Sequence, residues 1–193
     1  MAAGQSVRFG QPKQLIELKG KSLIQRAVET ALKSQLDKCI LVLGFEHQKI
    51  IAILGKLTRN QRLQVVINPD YHQGQSRSLK MGLIEAKDAF PSIMFLVADQ
   101  PMIDVETIDL LLEQFWHSPR NICVPTYKGQ RGNPTLFNQT FYDRLLQIEG
   151  DIGARQVITD HPEDVLTVEF KNPLCFSDID TPQDLEKLNS LLS

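Results

Sequence analysis

Two kinds of apolar run alternate along the chain. Residues 38–43, 63–67 and 93–97 are short, nearly continuous stretches rich in Val, Ile and Leu, the pattern of strands covered on both faces. Between them, residues 22–34, 46–57 and 76–89 space their apolar side chains three and four apart, as helices with one buried face do. Leu23, Ala27, Val28 and Ala31 form such a stripe. Further on, residues 104–116 read as a helix, 121–126 as a strand, 139–148 as a helix and 165–170 as an alternating strand. Thr181, Pro182 and the carboxylates behind them open a last helix, with hydroxyl cap, first-turn proline and acid at the positive dipole end. Strand alternating with helix predicts an α/β fold of Rossmann-like type, doubly wound, with a mostly parallel sheet and helices on both faces. No repeat, linker or low-complexity tract interrupts the pattern, so residues 1–193 are expected to form a single domain.

The first fifteen residues break the pattern. Gly4 and Gly10 bracket a polar segment with Ser6 and Arg8, and Lys13 follows Pro12. Glycines let backbone N–H groups come close to anionic oxygens. Arg8 adds a planar fork and Lys13 a mobile point charge, and two cations in one loop suit a triphosphate. Such a loop should follow a strand. No apolar run stands between Met1 and the loop, so the first strand of the sheet reads as truncated.

Ligands of open α/β sheets bind beyond the carboxyl ends of the strands, and other chemically capable residues fall there. The third apolar run ends in Asp99, just before Pro101, where a carboxylate can hold Mg²⁺ against phosphates; turn initiation is the plainer reading. Asp178 and Asp180, two apart, share one face of an extended chain. Either could complete a metal site, or both could serve as caps. After the second run, Asn68, Gly74, Ser76 and Ser78 offer a tight turn, two hydroxyls and a helix start. Arg131 and Asn133, with Asp151 and Arg155 in a second glycine-bearing segment, suit an acidic second substrate.

Taken together these segments resemble a known family. Ala-Ala-Gly-x-Ser-x-Arg-Phe-Gly-x-Pro-Lys at the start, Asn-Pro-x-Tyr-x-x-Gly and Ser-x-Ser-Leu, Asp-Gln-Pro, Arg-Gly-Asn-Pro, Gly-Asp-Ile-Gly-Ala-Arg and Ile-Asp-Thr-Pro occur in order from Ala2 to Asp184. They are similar to the MobA-like nucleotidyltransferases, and within them to the molybdenum cofactor cytidylyltransferase (MocA-type) branch. The resemblance implies a nucleotide-diphospho-sugar-transferase-like fold and transfer of CMP from CTP to molybdopterin, giving molybdopterin cytosine dinucleotide and pyrophosphate. It implies that Ala2, Ala3, Gly4 and Ser6 wrap the nucleotide while Arg8 and Lys13 contact its phosphates. Asn68, Gly74, Ser76 and Ser78 would surround the base and ribose. Arg131, Asn133, Asp151 and Arg155 would line the acceptor side, and Asp99 and Asp180 would hold Mg²⁺. A recipient molybdoenzyme or its chaperone is a further implied partner. Arg77 between the serines and Asn133 in place of the commoner His depart from the family pattern. Three alternatives stay open: a GTP-using guanylyltransferase, a sugar- or alditol-phosphate nucleotidyltransferase of the same fold, and a non-catalytic binding protein.

Composition narrows the field further. The hydrophobic share of 42%, charged share of 23% and net charge of −2 are ordinary for a soluble domain and argue against nucleic acid as a partner. Cys39, Cys123 and Cys175 are odd in number and widely separated, which suggests neither a disulfide framework nor a zinc site. No apolar stretch reaches membrane-spanning length, and the N-terminus lacks a signal-peptide pattern; a cytoplasmic location is expected.

Overall fold

The computed structural model describes Phe9, residues 11–150 and residues 153–192. After a 3-10 turn at Lys13–Leu15, a small hairpin of β1 (Glu17–Leu18) and β2 (Lys21–Ser22) leads into α1 (Leu23–Lys33). Ser22 starts this helix with a capping box, its hydroxyl accepting from the Gln25 N–H while the Gln25 side chain accepts from the Ser22 N–H. Next come β3 (Cys39–Leu43), α2 (His47–Leu54), β4 (Leu63–Ile67), α3 (Gln75–Ala86) and β5 (Ser92–Phe95). α4 (Val105–Trp116) follows, capped by the Asp104 carboxylate accepting from the Thr107 N–H at 2.8 Å. β6 (Ile122–Tyr127), β7 (Gln130–Arg131) and β8 (Thr135–Asn138) then lead to α5 (Tyr142–Gln147), α6 (Arg155–Asp160), β9 (Val165–Glu169) and α7 (Pro182–Leu191).

Helices cover both faces of the sheet, and β6 shows why. Ile122 and Val124 pack with Leu79 and Leu83 of α3 and Leu145 of α5, while Cys123 between them packs with Leu111 and Phe115 of α4. Successive side chains of a strand point to opposite faces, so a continuous apolar run requires cover on both. The same alternation recurs in β8, with Phe137 on the α3 side and Leu136 on the α4 side.

The sheet is mixed rather than mostly parallel. β3 and β4 pair in parallel from Cys39 opposite Leu63 to Leu43 opposite Ile67, and β6 pairs in parallel with β9. The correction comes from β8, a strand the apolar pattern did not reveal. It pairs antiparallel with β5 on one side and with β6 on the other. Its four residues are too few for alternation to stand out beside the turn-rich segment before it.

Among the described residues no ladder joins the β3–β4 pair to the sheet that begins at β5. β3 and β5 instead flank a cavity of about 470 Å³ lined by residues of both, roofed by α1 and floored by α3.

Candidate active site

Three segments meet at the carboxyl edge of the sheet. Lys13 stands in the turn that follows the buried Pro12. Asp99 lies just beyond β5, and Asp180 just ahead of α7. The Ile179 N–H donates to the Asp99 carbonyl at 3.0 Å, which fastens the second acidic segment against the first. Lys13 Nζ then donates to Asp99 Oδ2 at 2.9 Å and to Asp180 Oδ1 at 2.7 Å. The lysine side chain is only 13% exposed, against 58% for Asp180, so the pair opens outward from a shielded ammonium. Burial alone would lower the Lys13 pKa. The hydrogen bonds to Asp180 and Asp99, with the charges of both carboxylates, outweigh it and hold the amine above its ordinary range.

Asp178 sits beside this pair and accepts from Gln100 Nε2 at 2.7 Å. Burial pushes its carboxyl above the usual range; the Gln100 hydrogen bond opposes this, and the negative charges of Asp99 and Asp180 reinforce it. Gln100 itself is buried. It emerges as a site residue that sequence reasoning missed, although its place next to Asp99 was a signal. Asp184 has a different role. Its Oδ2 accepts from the Thr181 N–H and hydroxyl at 2.8 Å each and from the Asp180 N–H at 3.1 Å, which fixes the start of α7 and lowers its pKa.

The turn between β4 and α3 is closed on itself. Asn68, 1% exposed, donates from Nδ2 to the Ser78 hydroxyl at 2.9 Å and accepts at Oδ1 from the Asp70 N–H at 3.0 Å. Gly74 precedes α3 at φ 103°, a region that favours glycine. Ser76 is buried, and its N–H donates to the Gly150 carbonyl at 3.2 Å. That bond brings the segment holding Arg155 against the start of α3. Arg155 is exposed at the start of α6.

Arg131 lies exposed on β7, and Asn133 precedes the cis peptide to Pro134. Between them, Gly132 runs directly beneath Phe176: a Cβ there would lie 2.1 Å from the ring. Phe176 also meets Tyr127 and Phe170 at ring-centroid distances of 6.2 Å each. This aromatic group couples the Arg131–Asn133 loop to the segment bearing Asp178 and Asp180, and nothing in the sequence spacing announced it. Ala2, Ala3, Gly4, Ser6, Arg8 and Asp151 lie outside the described residues.

Divalent metal chemistry has a partial frame here. Among the described residues no group of three or more His, Cys, Asp or Glu side chains is placed to hold an ion. Asp99 and Asp180 nevertheless converge on one cationic nitrogen, and one or two carboxylates plus substrate phosphates are what magnesium ordinarily takes. Of the two cysteines whose side chains are described, burial pushes Cys123 up to about 12 and raises Cys39 as well, so neither is held as a ready thiolate. No described helix is long and apolar enough to cross a membrane.

Comparison with known proteins gives this geometry its context. The chain is 28% identical to the purine catabolism protein PucB of Bacillus subtilis, covering 100% of this chain and 95% of that one. It is 27% identical to a probable molybdenum cofactor guanylyltransferase of Thermococcus sibiricus over 75% of this chain and 70% of that one. Among solved structures, Rv0371c of Mycobacterium tuberculosis superposes with a TM-score of 0.83 at 26% identity, covering 98% and 94% of the two chains. A complex of Rv0371c with manganese superposes at 0.79 and 24% identity, covering 97% and 94%. Residues 1–165 match the family model of the MobA-like NTP transferase domain, and the chain belongs to that family of nucleotidyltransferases.

Proposed function

We propose that this protein transfers CMP from CTP to the phosphate of molybdopterin carrying molybdenum. The observation that carries the reading is the convergence of Asp99 and Asp180 on Lys13 at the carboxyl edge of the sheet. An acceptor phosphate oxygen attacks the α-phosphorus of CTP; the bond from that phosphorus to the bridging oxygen breaks, and pyrophosphate leaves with the electron pair. The acceptor is already ionised, so no protein nucleophile is required, and positioning with charge stabilisation supplies the rate.

Each residue has a part in this scheme. Lys13 moves from the two carboxylates to the triphosphate, where Arg8 joins it, and the loop with Ala2, Ala3, Gly4 and Ser6 wraps the nucleotide. Asp99 and Asp180, once freed from the ammonium, would hold Mg²⁺, which would supply charge neutralisation at the phosphates. The manganese complex of Rv0371c supports a divalent ion in a related fold. Asn68 and Ser78, turned on each other, with Gly74 and Ser76 set the shape of the base and ribose wall. Arg131, Asn133, Asp151 and Arg155 face the acceptor.

CTP is preferred over GTP because Ala3 stands where the guanylyl branch usually carries a second glycine. The name of the Thermococcus relative favours GTP as the second reading. Pyrophosphate release measured with each of the four triphosphates, Mg²⁺ and molybdopterin separates them. Fastest release with CTP is expected, and a clear preference for GTP overturns the base assignment. Release with an alditol phosphate but not with the pterin overturns the acceptor, and nucleotide binding without turnover overturns catalysis.

A further inference from the structure

Gln100 keeps half of its amide unpaired in the interior. The residue is 7% exposed, and its buried Oε1 has no hydrogen-bond partner among the described residues. Folded interiors avoid such an orphan acceptor. The reason lies at the other end of the amide. Nε2 donates to Asp178 Oδ1 at 2.7 Å. An ionised carboxylate only accepts, so the amide is fixed with its nitrogen toward Asp178 and its oxygen turned away. A methionine of similar size would fill the place without the orphan, but it could not reach Asp178 with a donor.

That contact belongs to a set of ties between the two acidic segments. Gln100 follows Asp99 directly, and Asp178 stands two residues before Asp180. Between these pairs the Ile179 N–H donates to the Asp99 carbonyl at 3.0 Å. The Ile179 side chain, 1% exposed, packs with Leu18, Leu23 and Leu188, and Met102 from the Asp99 segment packs against the same cluster. With Ile179 inward, Asp178 and Asp180 fall together on the opposite face of the chain. Lys13 adds a tie of a different kind, joining Asp99 and Asp180 by charge. Once its ammonium turns to a triphosphate, the two carboxylates lose the cation that draws them together and repel each other. Asp178 brings a third negative charge, to which both are coupled.

We propose that Gln100 is a positioning residue for nucleotidyl transfer: through Asp178 it clips the two acidic segments together, so that Asp99 and Asp180 stay side by side for a divalent ion after Lys13 leaves them. The inference rests on the metal role given to Asp99 and Asp180 above. Neither Gln100 nor Asp178 touches the ion in this arrangement. Outer-shell partners act by holding ligating carboxylates in place, and their loss ordinarily weakens metal binding roughly 10- to 100-fold. The clip needs an N–H meeting an oxygen acceptor, not the charge of Asp178. That separates it from a third carboxylate ligand.

The test compares the 193-residue chain with its variants Gln100→Met, Asp178→Ala, Asp178→Asn and Asp99→Asn. Mn²⁺ binding is followed by water-proton relaxation, without nucleotide and with CTP or GTP, so the readout depends on neither the base nor turnover. Gln100→Met and Asp178→Ala should weaken Mn²⁺ binding by about tenfold or more. Asp178→Asn still offers an amide oxygen to Gln100 Nε2 and should stay within about threefold of the parent. Gln100→Met should also melt at or above the parent temperature, because it removes the orphan acceptor. In turnover, the Mg²⁺ concentration for half-maximal pyrophosphate release should rise in Gln100→Met while kcat at saturating Mg²⁺ recovers. Unchanged Mn²⁺ affinity in Gln100→Met, with binding lost in Asp99→Asn, overturns the clip and keeps the metal site. Equal weakening by Asp178→Asn and Asp178→Ala overturns it as well, since Asp178 then acts by its charge. A parent chain that binds no Mn²⁺ under any of these conditions overturns the metal reading itself, and the clip with it.

Discussion

The two sides of the sheet are held together by different means. On the β6 side every strand has a ladder: β6 itself lies between β8 and β9, and side chains from α3, α4 and α5 fill both faces. On the β3 side one ladder among the described residues binds β4, and residues 39–42 line the cavity. The first region packs helices on both faces of laddered strands, and the second borders the cavity of about 470 Å³. At the carboxyl edge the ion pairs of Lys13 with Asp99 and Asp180 join the N-terminal turn to the two acidic segments, which the Ile179 N–H to Asp99 carbonyl bond and the Gln100 to Asp178 bond tie to each other. The contrast is between a region packed on both faces by apolar side chains and a site edge where charged side chains are drawn together.

Paired truncations break the comparison most directly. Ile122→Ala on β6, fully buried, should cost about 4 kcal/mol of unfolding free energy, near the upper range for such changes. Leu41→Ala on β3, which lines the cavity, should cost about 2 kcal/mol because its surroundings are already loosely packed. Denaturant titration of both variants checks this, and equal losses would erase the contrast.

Lys13→Met tests the charged join. Nucleotidyl transfer should fall at least ~100-fold, the scale of losing one charge-stabilising donor, while Lys13→Arg should recover part of it. A variant with nearly full turnover would remove Lys13 from the chemistry. Its amine titrates above the ordinary lysine range. The stability its pairing provides is thus present below the unfolded pKa and fades only as pH rises through the raised folded value. Melting curves should accordingly be flat with respect to this group at neutral pH and decline in strong alkali.

A milder break concerns Gly132. Gly132→Ala forces Phe176 to move and should cost about 1–3 kcal/mol, with a rise in KM for the acceptor larger than that for the triphosphate. Phe176→Leu should restore much of the loss in the double variant. Absence of rescue would separate the Arg131–Asn133 loop from the acidic segment.

The smallest effect sharpens the picture of the closed side. Glu169, at the end of β9, accepts from the Thr126 hydroxyl at 2.6 Å and from the Lys128 N–H at 2.6 Å, and its pKa is lowered, chiefly by Thr126. That contribution is present above the unfolded value of 4.5 and is lost as pH falls through the lowered one. Thr126→Val should bring the Glu169 titration, followed by NMR, back toward its ordinary position without moving neutral-pH activity.

Legibility followed distance along the chain. The strands β3, β4 and β6 and the caps of α1 and α7 were readable because each depends on a few adjacent residues. Lys13, Asp99 and Asp180 were readable as candidates, each from its own motif. That one ammonium would hold both carboxylates was not, since the partners lie 86 and 167 positions away. Asn68 and Ser78 were marked for a nucleoside, yet the structure turns them on each other: a buried amide must find a partner, and the nearest is one turn into α3. Gln100 beside Asp178 and Gly132 beneath Phe176 are contacts between distant loops, for which local spacing carries no signal.

By itself the sequence determined the alternation of buried strands with amphipathic helices, the caps that start the helices and the chemical types gathered at the strand ends. These depend on side-chain periodicity and short-range hydrogen bonding, which neighbouring residues settle among themselves. Tertiary structure alone decided the antiparallel insertion of β8 and the sharing of Lys13 between two acids. Those depend on which backbone edges meet and which charges are buried together, and both are set by packing across the whole chain.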